Sequence, residues 1–153
     1  MTSAFVLRGS IDLIEQHTAL GVLRVTDHKT GKNRSNPDLI IGGGSVLQPV
    51  LYSVAIERGL AVRVTEGRLY YCTTAGGFEE RVVPLDDFSR GTAGIVVEII
   101  SSALEEGFLP AAPEKRGCDW CDYRAVCGPF EYIRTARKPG DRLFQLKKLR
   151  ELP

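Results

Sequence analysis

Between Gly9 and Lys32 the chain runs GSIDLIEQHTALGVLRVTDHKTGK, two apolar strands joined by a polar turn. Each strand holds an acid where its pattern wants an apolar or neutral residue. Asp12 interrupts Ile11, Leu13 and Ile14; Asp27 ends the run Val22, Leu23 and Val25 and is followed by His28 and Lys29. Side chains alternate along a strand, so Asp27 and Lys29 share one face and His28 points to the other. Two ionised carboxylates side by side repel unless something cationic lies between them. Mg²⁺ or Mn²⁺ suits hard carboxylate oxygens, and Mg²⁺ characteristically takes one or two carboxylates together with phosphate and water. A lysine on the same face can orient an attacking water or neutralise charge developing on a phosphate. The plainer alternative makes Asp12 a bulge residue and Asp27 the cap of a KTGK turn.

The rest of the pattern supplies a setting for that pair. Phe5–Arg8, Ile11–Glu15 and Gly21–Thr26 read as strands, and 33–44 as a polar, Gly- and Pro-rich loop. Ser45–Arg58 has helical spacing, with Pro49 near its start, where a missing N–H costs least. Leu60–Thr65, Arg68–Thr73 and Arg81–Leu85 read as strands, with Glu66-Gly67 as a turn; Thr92–Gly107 reads as a second helix and Pro129–Arg137 as a short one. The order predicts α/β or α+β architecture around a central mixed sheet. With 153 residues and 43% hydrophobic content, one sizeable core is expected.

Charge excludes one class of argument. Lys and Arg number 20 against 19 Asp and Glu, so a nucleic-acid partner has to be argued locally. No run approaches the ~20 apolar residues that span a bilayer, and MTSAFVLRGS has neither the basic nor the apolar part of a signal peptide. A cytoplasmic location is the resulting expectation.

Two further sets carry possible chemistry. Gln48 and Tyr52 stand four apart, on one helix face. They serve either a ligand, or a Ser45/Gln48 capping box and a core aromatic. Cys118, Cys121 and Cys127 fit the spacing C-x2-C-x5-C, which wraps soft metals or clusters. Cys72, in LYYCTT, reads as a buried core thiol. The basic tail, with Arg134, Arg137, Lys138, Arg142, Lys147, Lys148 and Arg150, lies over the domain or reaches toward a partner such as a DNA backbone.

In order, G-S-I-D-L-I, T-D-H-K-T-G-K and L-Q-P-V-L-Y resemble the motifs of the PD-(D/E)xK nuclease superfamily, in its RecB-like branch of helicase–nuclease subunits and small CRISPR-associated nucleases. The resemblance implies an α/β restriction-endonuclease-like core, a central mixed sheet flanked by helices, with a C-terminal cysteine module. Its divisions fall at 1–110 for the core, 111–137 for the cysteines and 138–153 for the basic tail. It implies that Asp12 and Asp27 ligate Mg²⁺ or Mn²⁺ with the backbone carbonyl of His28, that Lys29 is catalytic, and that Gln48 and Tyr52 hold DNA. It also implies a structural [4Fe–4S] cluster on Cys118, Cys121 and Cys127, with Trp120 covering its apolar flank. Two features depart from the branch: no cysteine precedes Asp12 to be the fourth ligand, and the helix that would add a further acid or histidine is absent. Zinc with a borrowed ligand, or no metal, stays open at the cysteines. The 153 residues are expected to be the C-terminal part of a longer domain. The implied activity is hydrolysis of DNA, as an exonuclease on single strands in repair or recombination, beside a helicase subunit or domain. The alternative is a non-catalytic DNA-binding or scaffold module of a helicase–nuclease complex.

Overall fold

The computed structural model describes residues 5–36, 38–114, 116–119 and 121–153. Strands β1 (Leu13–His17), β2 (Val22–Lys29), β3 (Val64–Tyr71) and β4 (Glu80–Pro84) form one sheet in that order. The β1–β2 pair is an antiparallel hairpin, β2 and β3 run parallel, and β3–β4 is antiparallel again. A parallel pair needs a crossover, and helix α1 (Gln48–Leu60) provides it. Helix α2 (Asp87–Glu105) follows β4, and α3 (Arg124–Cys127), α4 (Glu131–Ala136) and α5 (Phe144–Arg150) complete the chain. The expected α/β class, a mixed sheet packed against helices, is what the chain builds, consistent with a restriction-endonuclease-like core. Among the described residues no helix is long and apolar enough to cross a membrane.

Alternation along β2 explains the layering. Leu23 and Val25 turn to the helices and are buried with Val50, Val64, Val83 and Val96. Arg24, Thr26 and His28 turn the other way, into a polar face. There Arg68 donates to Thr26 Oγ1 at 3.1 Å, to Glu80 at 3.2 Å and to Glu15 at 2.7 Å. Thr26 Oγ1 itself donates to Glu15 at 2.9 Å, and Arg24 pairs with Glu66. His28 meets the Tyr70 ring edge-on, with 6.0 Å between centroids.

Several sequence expectations shift. Phe5–Arg8 is no strand; Val6 and Leu7 are exposed and no sheet edge pairs with them. The strands expected on either side of Glu66-Gly67 are one strand, β3. Gly67 is not a turn residue but the point where α1 lies on the sheet: a Cβ there would collide with the Pro49 carbonyl. Helix α2 starts five residues earlier than its apolar spacing indicated, because Asp86 caps it, accepting from the Ser89 N–H at 2.8 Å. That bond holds the Asp86 carboxyl below its ordinary range.

Glu57 on α1 and Arg90 on α2 tie the layers. Arg90 donates to both Glu57 oxygens, at 2.9 and 2.8 Å, and to the Leu85 and Val64 carbonyls; Glu57 Oε1 also accepts from the Val64 N–H at 3.1 Å. The Arg90 hydrogen bonds lower the Glu57 pKa and raise that of Arg90. The basic tail lies over the domain. Its helix α5 packs by α2 and by the turn Gly42–Gly44. The N–H groups of Ile41 and Gly42 donate to the Pro153 carbonyl at 2.7 and 3.0 Å, and that of Gly43 to Leu152 at 2.9 Å.

Candidate active site

The hairpin register fixes where the acids stand. The hairpin pairing ends at Leu13–Thr26, so Asp12 lies one residue outside β1, at the end of β2 that carries Asp27. Asp27 is beside Leu69 on β3, and Leu69 is beside Arg81 on β4. A single row across the sheet thus reads Asp27, Leu69, Arg81, with Asp12 just beyond the start of β1. The alternation that buries Leu23, Val25 and Val83 directs Asp27, Leu69 and Arg81 to the helix-covered face. Two pairs further along β2 and β3, on the same face, come Lys29 and Tyr71.

Asp27 is the most enclosed of the acids, its side chain 13% exposed against 42% for Asp12. Its Oδ2 is shut off from solvent and makes no hydrogen bond among the described residues. Lys29 Nζ stands 2.7 Å from that oxygen as an ion pair but without hydrogen-bond alignment. Asp12 Oδ2 accepts from the His28 backbone N–H at 2.7 Å and has His28 Nδ1 at 3.7 Å. The first acid is therefore tied to the residue between Asp27 and Lys29. The His28 imidazole lies on the far face, against Tyr70.

This donor set fits a hard divalent cation. The enclosed Asp27 Oδ2 is met by the Lys29 ammonium at 2.7 Å, an ion pair that a divalent cation could share. The Asp27 carboxylate is the one that faces the helices, and Asp12 Oδ2 stays with the His28 N–H and imidazole; Mg²⁺ or Mn²⁺ can take one or two carboxylates and the rest of the shell from water and phosphate. Among the described residues no three His, Cys, Asp or Glu side chains group closely enough to hold a metal by themselves.

Helix α1 brings its two candidates to the same end of the sheet. Gln48 is its first residue, and its side chain makes no hydrogen bond among the described residues. The expected capping box is not formed: the N-cap is Leu47, and Ser45 Oγ donates instead to the Gly42 carbonyl at 2.6 Å. Tyr52, half-buried at the core's edge, packs its ring on Gly9, where a Cβ would sit 2.9 Å from the hydroxyl. Its ring thus supports the segment leading into Asp12.

The cysteines do not arrange as a cluster. Cys118, Cys121 and Cys127 line one cavity of about 450 Å³ together with Glu131, but they fall outside any metal-holding group among the described residues. Burial raises the Cys118 thiol, and the neighbouring Glu131 charge raises it further, which opposes a ready thiolate. The expected [4Fe–4S] ligand set is therefore not assembled in this structure. Trp120 lies outside the described residues. Cys72 is not the buried core thiol expected; it is half-buried past the end of β3, its N–H donating to the Lys29 carbonyl at 3.0 Å and its Sγ 3.6 Å from the same oxygen.

Arg81 is the site residue that reading the motifs overlooks. Its Nε and Nη2 are shut off from solvent with no partner among the described residues. The signal was present in R-V-V-P-L, where Arg81 falls in phase with the inward Val83 and Leu85.

Comparison with known proteins agrees with this geometry at the level of the superfamily. The family model described as PD-(D/E)XK nuclease superfamily matches residues 2–128. No curated protein and no solved structure matches the chain.

Proposed function

The chain belongs to the PD-(D/E)XK nuclease superfamily, and we propose that it is a metal-dependent deoxyribonuclease of the RecB-like kind, acting as an exonuclease on single-stranded DNA beside a helicase in repair or recombination. The superfamily consists of metal-dependent phosphodiesterases, so a nucleic-acid substrate and a divalent cation come with membership. The observation that supports the site assignment is the enclosed, hydrogen-bond-free Asp27 Oδ2 with the Lys29 ammonium 2.7 Å away.

In this reading Asp12 and Asp27 hold Mg²⁺ or Mn²⁺, with the His28 carbonyl as a further ligand. The cation, when bound, supplies charge neutralisation at the phosphate and a lowered pKa for water. Lys29 orients the attacking water and offsets the negative charge that develops on phosphorus-bound oxygens. Asp12, fixed through the His28 N–H, keeps the two carboxylates in register across the hairpin. Gln48 and Tyr52 contact the strand being cut, Gln48 with an amide left free by the absent capping box. Hydrolysis forms one bond from water oxygen to phosphorus and breaks the bond to the leaving sugar oxygen, which takes up a proton.

The test is Asp27→Ala in the full chain. Loss of Mg²⁺- or Mn²⁺-dependent degradation of single-stranded DNA is expected; undiminished degradation by that variant would refute the assignment. A second reading, a non-catalytic DNA-binding or scaffold module, draws on the single-residue tether of Asp12 and the lack of a third acidic side chain among the described residues. It predicts DNA binding in EDTA and no cleavage with Mn²⁺.

A further inference from the structure

We propose that Arg81 is the anion-holding residue of this site, its guanidinium taking a non-bridging oxygen of the phosphodiester presented to Asp27 and Lys29. The inference rests on the nuclease reading above and deepens it, since it names what grips the substrate's charge.

Three observations converge. Arg81 shares a row and a sheet face with Asp27, separated only by Leu69. Neighbouring strands lie about 4.8 Å apart, so the Arg81 and Asp27 backbones stand roughly 10 Å from each other across Leu69. Leu69, 1% exposed, is an apolar floor that offers the guanidinium nothing to bond. Two guanidinium nitrogens are also enclosed without any acceptor among the described residues. Arginine does not shed its proton to relieve such burial, unlike lysine or histidine. An acceptor brought by a ligand would satisfy these nitrogens, which have none among the described residues. The planar fork matches the two oxygens of a phosphate better than any neutral group.

The third observation is the contrast with the other inward or cross-sheet arginines. Arg24 has Glu66, Arg68 has Glu15 and Glu80, and Arg90 has Glu57. Each of these bridges elements, as a structural arginine does. Arg81 bridges nothing among the described residues. Its nearest strand neighbour with charge chemistry on that face is the acid assigned to the metal. A cation at Asp12 and Asp27 and a guanidinium at the far end of the row would embrace one phosphate from two sides.

The experiment uses the full chain with Arg81→Met and Arg81→Lys. Cleavage of a single-stranded oligodeoxynucleotide with Mn²⁺ is measured alongside direct Mn²⁺ binding, melting temperature and the thermal shift produced by inorganic phosphate. Arg81→Met is expected to lower kcat/KM by about tenfold or more, the loss of a charged hydrogen bond, while Mn²⁺ affinity stays within about twofold by the same reckoning. Its melting temperature is expected to stay level or rise, because an enclosed unpaired charge is gone. Arg81→Lys is expected to recover part of the activity. Wild-type kcat/KM in Arg81→Met would overturn the proposal, as would a fall in melting temperature with no recovery in Arg81→Lys. If the wild-type chain cuts no DNA with Mn²⁺, the nuclease reading fails instead. The anion site is then judged by phosphate alone: a thermal shift lost in Arg81→Met supports it, and equal shifts overturn it.

Discussion

Arg68 and Arg81 stand on adjacent strands of one sheet and face opposite ways. On the polar face, Arg68 is met by Thr26, Glu15 and Glu80, each of these hydrogen bonds running to another strand. On the helix face, Arg81 has two enclosed nitrogens and Asp27 one enclosed oxygen, none of them hydrogen-bonded among the described residues. On the helix face Asp27 is ion-paired with Lys29, and the two Arg81 nitrogens alone have no charged partner among the described residues. A fully partnered charge network specifies how strands pair. An unpaired one is a cost that an incoming acceptor would offset. The difference separates what holds this sheet together from what it holds ready.

The comparison breaks most visibly at Asp27. Asp27→Asn is expected to abolish metal-dependent cleavage without lowering the melting temperature; a large loss of stability would mean the carboxylate is structural after all. Gly67→Ala comes next, since its methyl meets the Pro49 backbone and lifts α1 from the sheet. A cost of about 3 kcal/mol in urea unfolding is expected, and because α1 carries Gln48, cleavage is expected to fall with it. Arg68→Met sharpens the contrast between faces. It leaves Glu15 and Glu80 without their shared cation. A cost of about 2 kcal/mol is expected, below the full value for a buried pair because both acids are partly exposed; cleavage by the folded fraction is expected to be unchanged. If Arg81→Met costs as much stability as Arg68→Met, the two faces do not differ as described.

The smallest effect is a pH dependence between the helices. The Arg90 hydrogen bonds hold the Glu57 carboxyl below its ordinary value of 4.5 in the folded chain. Its contribution is therefore complete above that value and is lost as pH falls through the lowered folded value. Unfolding midpoints measured from pH 6 downward are expected to fall less steeply in Glu57→Gln than in the wild type.

Much of the site was legible because strand alternation is strict. Spacing alone put Asp27 and Lys29 on one face and turned His28 away, and His28 does lie against Tyr70 on the other face. The two-strand hairpin, the helix bearing Gln48 and Tyr52 and the mixed sheet followed from the same periodicities. What escaped depended on contacts distant in sequence. Gly67 looks like a turn until α1 is known to cross it. The start of α2 was hidden because Asp87 to Gly91 show little apolar spacing, and only the Asp86 cap marks it. Arg81 lies outside the matched motifs, and only its phase with Val83 and Leu85 marks it as inward. Three cysteines at cluster spacing specify a loop, not the approach of their sulfurs, and Cys118 is buried while Cys121 is exposed.

The clasp between residues 152–153 and the turn before α1 has a consequence for truncation. The N–H groups of Ile41, Gly42 and Gly43 find their acceptors only in the carbonyls of Leu152 and Pro153. Removing residues 152–153 is therefore expected to leave three backbone donors without their acceptors and to loosen the segment leading into Gln48. The β1–β2 hairpin takes no part in this clasp, so its pairing is expected to survive the cut.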